Sequence, residues 1–112
     1  MSEFIVDQVG PSGLACVFED DGETGYLYLY DPNGKGVLKH LQIYDSSREL
    51  NVKEGDVKVV WSPDGDKCGV VIWNGMRGVI DLNRNEEGRA KLESRESLPI
   101  DDSEWLKGFE EI

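Results

Sequence analysis

The fold is decided by the stretch Val57-Lys58-Val59-Val60-Trp61-Ser62-Pro63-Asp64-Gly65-Asp66-Lys67-Cys68-Gly69-Val70-Val71-Ile72-Trp73. It joins two apolar, β-branched runs through a turn in which Pro63 presets φ and Gly65 can adopt the left-handed conformation. This pattern predicts a β-hairpin. The same turn is typical of a β-propeller blade, but it occurs once, and about four blades of four strands do not fit in 112 residues.

Gly, Pro, Asn and Asp divide the rest of the chain into short segments rich in β-branched and aromatic residues, which predict strands. The predicted strands are 4–8, 14–19, 25–31, 57–61, 67–73, 78–82 and a weak one at 89–94. Strands do not alternate with helical patterns, so an antiparallel arrangement is favoured. We expect a mainly β domain, a small antiparallel sheet or sandwich-like meander of about seven or eight strands.

Two segments are harder to assign. Residues 37–44 fit a strand face through Val37, Leu41 and Ile43, and a short helix face through Leu38, Leu41 and Tyr44; we favour the strand. Residues 45–56 are rich in charge and hold only two aliphatic residues, so they are predicted to form a solvated loop that could move.

The sequence changes character after residue 94. We therefore expect a β-rich domain over residues 1–94 and an acidic tail over residues 95–112. Asp101-Asp102-Ser103 is typical of a helix N-terminus, and Trp105, Leu106 and Phe109 recur at helical spacing. The pattern predicts a short helix that packs on the sheet, where it would cover an open edge or face, or that extends from it as an arm for a partner.

Charge limits the classes of partner. The chain has 23 acidic and 12 basic residues, a formal net charge of −11. This balance argues against nucleic acid and anionic membranes, which require basic patches. It would attract a basic protein partner, but composition alone favours the simpler interpretation that the acidic surface keeps the protein soluble. No apolar run approaches the roughly 20 residues of a membrane helix. Because the first residues lack the pattern of a secretory signal, we expect a cytoplasmic protein.

Residues suited to catalysis are few. His40 is the only histidine, so a two-histidine metal motif or a histidine-paired nucleophile cannot form. Cys16 and Cys68, the two cysteines, are expected to act as small core residues. The segment Asn33-Gly34-Lys35-Gly36 lacks the endings of dinucleotide and phosphate loops and is predicted to be a turn. We expect no enzyme activity, no cofactor and no metal site.

An acidic turn leads directly into an aromatic strand between Phe18 and Tyr30. Tyr26, Tyr28 and Tyr30 recur with a period of two, which places their rings on one face of a strand and Leu27 and Leu29 on the other. The leucines are expected in the core. The predicted partner-binding residues are Asp20, Asp21, Glu23, Tyr26, Tyr28 and Tyr30, with Trp73 as a neighbour.

Three segments together resemble a small bacterial family known as domain of unknown function 2251. They are residues 17–28 with the acidic turn, Leu41-Gln42-Ile43-Tyr44, and Val59-Val60-Trp61-Ser62-Pro63-Asp64-Gly65. The resemblance spans roughly residues 16–82 and implies no activity that could be transferred. The segment from Arg95 onward lies outside it.

These observations favour a non-enzymatic, acidic protein-binding domain, in its most concrete form an immunity-type or antitoxin-type inhibitor of a basic toxin. One alternative is a small metal-dependent hydrolase that uses the turn carboxylates Asp20, Asp21 and Glu23. Another is a self-associating structural module joined through an open sheet edge. The sequence leaves the oligomeric state open.

Overall fold

The computed structural model describes residues 3–45, 47–84 and 87–109. Over these ranges the chain forms two four-stranded antiparallel sheets, each a simple meander in the order of its strands. The first sheet contains β1 (Phe4–Val9), β2 (Ala15–Asp20), β3 (Gly25–Asp31) and β4 (Gly36–Tyr44); the second contains β5 (Val57–Trp61), β6 (Lys67–Ile72), β7 (Gly75–Asp81) and β8 (Glu87–Arg89). The expectation of a mainly β, antiparallel fold with about eight strands is confirmed.

The segment between the two sheets differs from the predicted mobile loop. It holds a short helix α1 (Ser47–Leu50) and a 3-10 turn (Glu54–Asp56). Leu50 and Val52 are both buried in the core. Two aliphatic side chains are therefore enough to anchor a segment whose charges otherwise suggest solvent, because each removes apolar area from water.

The largest shifts from the predicted strand boundaries are in β7 and β8. Trp73 and Asn74 both have positive φ, 55° and 66°, and form the tight turn that lets β7 begin at Gly75 rather than 78. The ambiguous segment 37–44 is a strand. The weak strand is shorter and earlier than predicted because the chain leaves the second sheet after β8: the Leu92 amide donates to the Ile43 carbonyl at the edge of the first sheet (3.4 Å).

The main core lies between the sheets. The first sheet contributes Cys16, Phe18, Leu27, Leu29 and Ile43 among others, and the second contributes Val59, Cys68, Val70, Ile72 and Ile80. Phe18 sits between the rings of Phe4 and Tyr44, with centroids 6.1 and 5.9 Å away. The alternation of these positions along their strands is the period of two that the sequence predicted for Leu27 and Leu29.

A second apolar cluster lies on the opposite face of the second sheet. Val60, Met76 and Val79 pack there against Phe109, with Ile100, Trp105 and Leu106 around them. These last four belong to what we call the C-terminal segment, residues 99–109, which includes helix α2 (Ser103–Leu106). The predicted short helix therefore packs on a sheet face.

Polar contacts fasten the C-terminal segment to the second sheet. The Ile100 amide donates to the Met76 carbonyl (2.9 Å). The Lys67 ammonium donates to the carbonyls of Glu104 (2.6 Å) and Lys107 (3.1 Å). Trp105 lies against Gly88, where a Cβ atom would come within 2.6 Å of the indole ring. The face of the second sheet is thus closed by side chains and main chain together.

Candidate interaction surface

The outer face of the first sheet carries three cross-strand rows of side chains, fixed by the register of β1 to β4. The rows are Ile5–Glu19–Tyr26–Gln42, Asp7–Val17–Tyr28–His40 and Val9–Ala15–Tyr30–Val37. We call these twelve residues the tyrosine face. Val17 and the three tyrosines belong to neither apolar cluster of the described residues. Tyr26, Tyr28 and Tyr30 therefore share one face, as predicted, and that face is not part of a core.

Exposed apolar side chains concentrate here. Six large apolar side chains are exposed in the described part of the chain, and all but Leu98 lie on the first sheet. Ile5 and Val9 are 60% and 62% exposed, and Val37 is 53% exposed. Val9, Tyr30 and Val37 share one cross-strand row, whereas Ile5 lies two rows away. Single exposed apolar residues are ordinary, so the row of three is the candidate for a contact surface.

Two tyrosines and a glutamate form the centre of the tyrosine face. The rings of Tyr26 and Tyr28 stack with centroids 6.1 Å apart and planes 18° apart. The Tyr28 hydroxyl donates to Glu19 Oε1 (3.1 Å). The pKa of Tyr28 is raised by desolvation, by this hydrogen bond and by the negative charges of Glu19 and Asp21. The rings thus lie in a negative field, which favours a cation over them.

The acidic turn borders this face, and its carboxylates divide into two kinds. Asp21 and Glu23 are exposed. Asp21 Oδ1 accepts from the amides of Thr24 (2.8 Å) and Glu23 (2.9 Å), which lowers the pKa of Asp21 and keeps the carboxylate ionised. The turn is therefore a fixed negative rim beside the tyrosines.

Asp20 has a different role from the one predicted for it. Its side chain is only 2% exposed, with Oδ1 accepting from the Gly22 amide (2.7 Å) and Oδ2 accepting from the Tyr44 hydroxyl (2.6 Å). The neighbouring Gly25 lets the Tyr44 ring approach, since a Cβ atom there would lie 2.5 Å from it. Asp20 ties the turn to the core, and both of its carboxylate oxygens accept hydrogen bonds within the fold.

Trp73 also lies apart from the tyrosine face. It occupies the turn between β6 and β7 of the second sheet, and the Arg95 guanidinium lies 4.1 Å from the centroid of its ring. Its Nε1 is buried without a hydrogen-bond partner. The structure therefore does not join Trp73 to the predicted tyrosine cluster.

The sequence did not predict several residues of the tyrosine face. Ile5, Val9 and Val37 line it, and His40 lies directly opposite Tyr28. The available signal was the alternation within 4–9, where Phe4 points inward while Ile5, Asp7 and Val9 point outward. Only the strand register reveals that these positions meet the tyrosines.

A groove of about 520 Å³ lies beside the second sheet, lined by residues that include Asp64, Lys67 and Asp81. Its polar groups serve the fold. Asp64 Oδ1 accepts from the Ser62 hydroxyl (2.7 Å) and the Asp66 amide (3.0 Å), which lowers the pKa of Asp64. Lys67 holds the C-terminal segment. The charged lining, which mixes acidic and basic residues, is thus partly engaged by contacts within the fold.

In the described ranges, no group of three or more His, Cys, Asp or Glu side chains could hold a metal ion. None of the helices there is long and apolar enough to cross a membrane.

Comparison with known proteins gives a family and one relative. A family model described as "Uncharacterized protein conserved in bacteria (DUF2251)" matches residues 2–111. An uncharacterised protein of Haemophilus influenzae is 31% identical over 74 residues, which cover 63% of this chain and 46% of the relative. The chain thus spans about half the length of this curated relative. No solved structure matches significantly. The resemblance noted in the sequence is confirmed, and it extends through the C-terminal segment.

Proposed function

We propose that this chain, which belongs to the DUF2251 family of bacterial proteins, is a non-enzymatic binding domain that docks a basic protein on its tyrosine face. In its most concrete form it is a cytoplasmic immunity-type or antitoxin-type inhibitor that covers a basic toxin. One observation carries the proposal: the outer face of the first sheet presents stacked tyrosines and exposed aliphatics beside an acidic turn, while the corresponding face of the second sheet is covered.

Charge supports a basic partner. Residues 3–45, which form the first sheet, include eight acidic and two basic residues, a net charge of −6. The rest of the chain carries 15 acidic and ten basic residues, a net charge of −5 over a longer stretch. One of the two lysines, Lys39, directs its ammonium to the carbonyls of Asp81 and Arg84. A negative charge that is denser on the first sheet speeds the approach of a positively charged protein and helps to orient it.

The chemistry of the face suits an interface centre. Tyrosine is enriched among the residues that contribute most to binding, because it buries a large rigid ring and keeps a polar hydroxyl. An arginine of the partner could stack on Tyr26 and Tyr28 and pair with Glu19, whose carboxylate is already beside them.

The area of the tyrosine face determines how much of its border must join the interface. Four strands about 4.8 Å apart and three rows about 7 Å apart give the face an area of roughly 400 Å². A standard interface uses about 800 Å² from each partner. We therefore include the acidic turn with Asp21 and Glu23 in the docking surface.

The test compares two charge-reversal variants of equal net charge. Asp7→Lys with Glu23→Lys changes the tyrosine face and its rim, where both side chains are exposed. Glu87→Lys with Glu96→Lys makes the same change at exposed positions elsewhere. Each variant and the unmodified domain would serve as bait in a lysate of the source bacterium, and the captured protein would be purified and titrated calorimetrically at low and high salt.

The proposal predicts a basic partner whose affinity falls as salt rises, is lost in the face variant and is kept in the control variant. Equal affinity of the two variants for that partner would contradict the placement of the surface. A captured protein that is acidic would contradict the proposal itself.

The exposed aliphatics of the same face also favour the alternative of self-association. Ile5, Val9 and Val37 are apolar enough for a contact between two copies, although the net charge of −11 opposes it. Sedimentation of the purified domain across a hundredfold range of concentration distinguishes the two. A constant monomer mass rules out self-association.

A further inference from the structure

The two cysteines meet in the centre of the molecule. Cys16 lies on β2 and Cys68 on β6, each 0% exposed and both in the core between the sheets. β2 and β6 face each other across this core with Cα atoms within 8 Å, and burial, followed by the interaction with Cys68, raises the pKa of Cys16 well above its ordinary value. The chain thus brings its only two thiols together in one core although they are 52 residues apart in sequence.

Both positions are rigidly held. β2 is flanked by β1 and β3, and β6 is flanked by β5 and β7, so each cysteine lies on an inner strand. Cys16 is in register with Gln8 and Leu29, and Cys68 with Trp61 and Ile80. Ladders on both sides therefore fix the two Cα atoms that a bridge would join; a disulfide requires these atoms to lie within about 7 Å of each other.

We propose that Cys16 and Cys68 form a single dithiol pair that a hydroperoxide converts into a disulfide between the two sheets. This inference is independent of the docking surface, since neither thiol reaches the tyrosine face. Its consequence is a covalent link across the sandwich at its centre.

The reaction balances with hydrogen peroxide as the oxidant. One thiol loses its proton and its sulfur attacks a peroxide oxygen; an S–O bond forms, the O–O bond breaks, and the departing hydroxide takes that proton to become water. The second thiol then loses its proton and attacks the sulfenic sulfur. The S–S bond forms, the S–O bond breaks, and the second hydroxide leaves as water. Two cysteines are oxidised by two electrons in total, and one peroxide is reduced to two waters.

Burial sets the rate of this reaction. The thiolate is the reactive form, and in the apolar core the raised pKa of Cys16 keeps it scarce at neutral pH. Oxidation of the folded protein should therefore be slow and should accelerate as pH rises or as the core opens. The neighbouring thiol should then trap the sulfenic acid before further oxidation.

The test treats the purified full chain with a small excess of hydrogen peroxide and follows its intact mass. The expected product is a monomer about 2 Da lighter, with Cys16 and Cys68 joined in a non-reducing peptide map. Its guanidinium midpoint should rise by about 1 M, because the link closes a long loop in the unfolded chain. Dithiothreitol should reverse both changes.

Cys16→Ala and Cys68→Ala are the matched controls, and each should show neither the mass loss nor the rise in midpoint. If a control fails to fold, reversal by dithiothreitol in the unmodified protein still decides the question. Sulfinic or sulfonic acid at the cysteines without the internal link would overturn the proposal. So would dimers linked between chains, or thiols that survive exhaustive exposure unchanged.

Discussion

The two sheets share one topology and differ in what covers their outer faces. β7 of the second sheet is buried at every position from Gly75 to Asp81, because one of its faces packs on the first sheet and the other on the C-terminal segment. β3 of the first sheet alternates, with Leu27 and Leu29 buried and Tyr26 and Tyr28 partly exposed. The same meander can therefore form either a closed layer or a presenting surface, and the outward side chains determine which.

The difference also separates two uses of aromatic residues. On the second sheet, Trp105 and Phe109 supply the cover and carry stability. On the first sheet, the tyrosines face outward and are partly or largely exposed. Substitutions at covered and at exposed aromatic positions should consequently differ in the free energy of unfolding that they cost.

Removing a large aromatic ring from the core between the sheets should cause the largest loss of stability. Phe18→Ala empties the site between Phe4 and Tyr44 and should lower the free energy of unfolding by about 3–5 kcal/mol. Tyr30→Ala on the outer face is the control and should cost less than about 1 kcal/mol. Guanidinium denaturation measures both, and similar losses would break the contrast between the two faces of the first sheet.

Opening the covered face should have the next largest effect. Phe109→Ala removes the ring that packs on Val60, Met76 and Val79, and should cost about 2–4 kcal/mol. Binding of a dye that fluoresces on apolar surface should rise at the same time, because the second sheet would then expose its outer face. Unchanged stability and dye binding would show that the C-terminal segment is dispensable.

Replacing the buried carboxylate should have an intermediate effect. In Asp20→Asn the side chain loses one of the two oxygens that accept from Gly22 and Tyr44, and we expect a loss of about 1–3 kcal/mol. Asp21→Asn changes the exposed neighbour and should cost less. Equal losses, measured by thermal unfolding, would contradict the division of the acidic turn into a structural and a presenting carboxylate.

The smallest expected effect is on the pH dependence of stability, at one turn from each sheet. Backbone amides lower the pKa of both Asp21 and Asp64 in the folded state. The stability that each carboxylate contributes is therefore present above its unfolded pKa of about 4 and is lost as pH falls below that value. Asp21→Asn and Asp64→Asn should each flatten the acid limb of the stability profile. A limb unchanged in both variants would show that neither turn is stabilised in this way.

Local pattern was sufficient to predict most of the fold. Strands 25–31 and 57–61 begin and end where predicted, since turn residues and alternation define them within a few positions. The shared face of Tyr26, Tyr28 and Tyr30 follows from the same alternation. These features depend on neighbours in sequence, which is why the sequence alone reveals them.

The remaining features depend on distant partners. Asp20 is buried because Tyr44, 24 residues away, reaches back to it. Leu50 and Val52 anchor a charged segment because the core lies beneath them. Trp73 belongs to the other sheet, and Ile5 reaches the tyrosine face only through the pairing of β1 with β2. No local pattern distinguishes these residues from solvated ones.

Hydrogen bonds at the two edges of the first sheet also limit how another chain could pair with it. On one side the Leu92 amide donates to Ile43 and the Arg89 guanidinium donates to the Gln42 carbonyl (3.0 Å); on the other, the Trp61 indole donates to the Gln8 carbonyl (2.8 Å). Each of these occupies a main-chain acceptor of an outer strand that could otherwise template a strand of another chain. These contacts therefore leave fewer main-chain groups free at the edges of the first sheet, which disfavours strand addition by another chain.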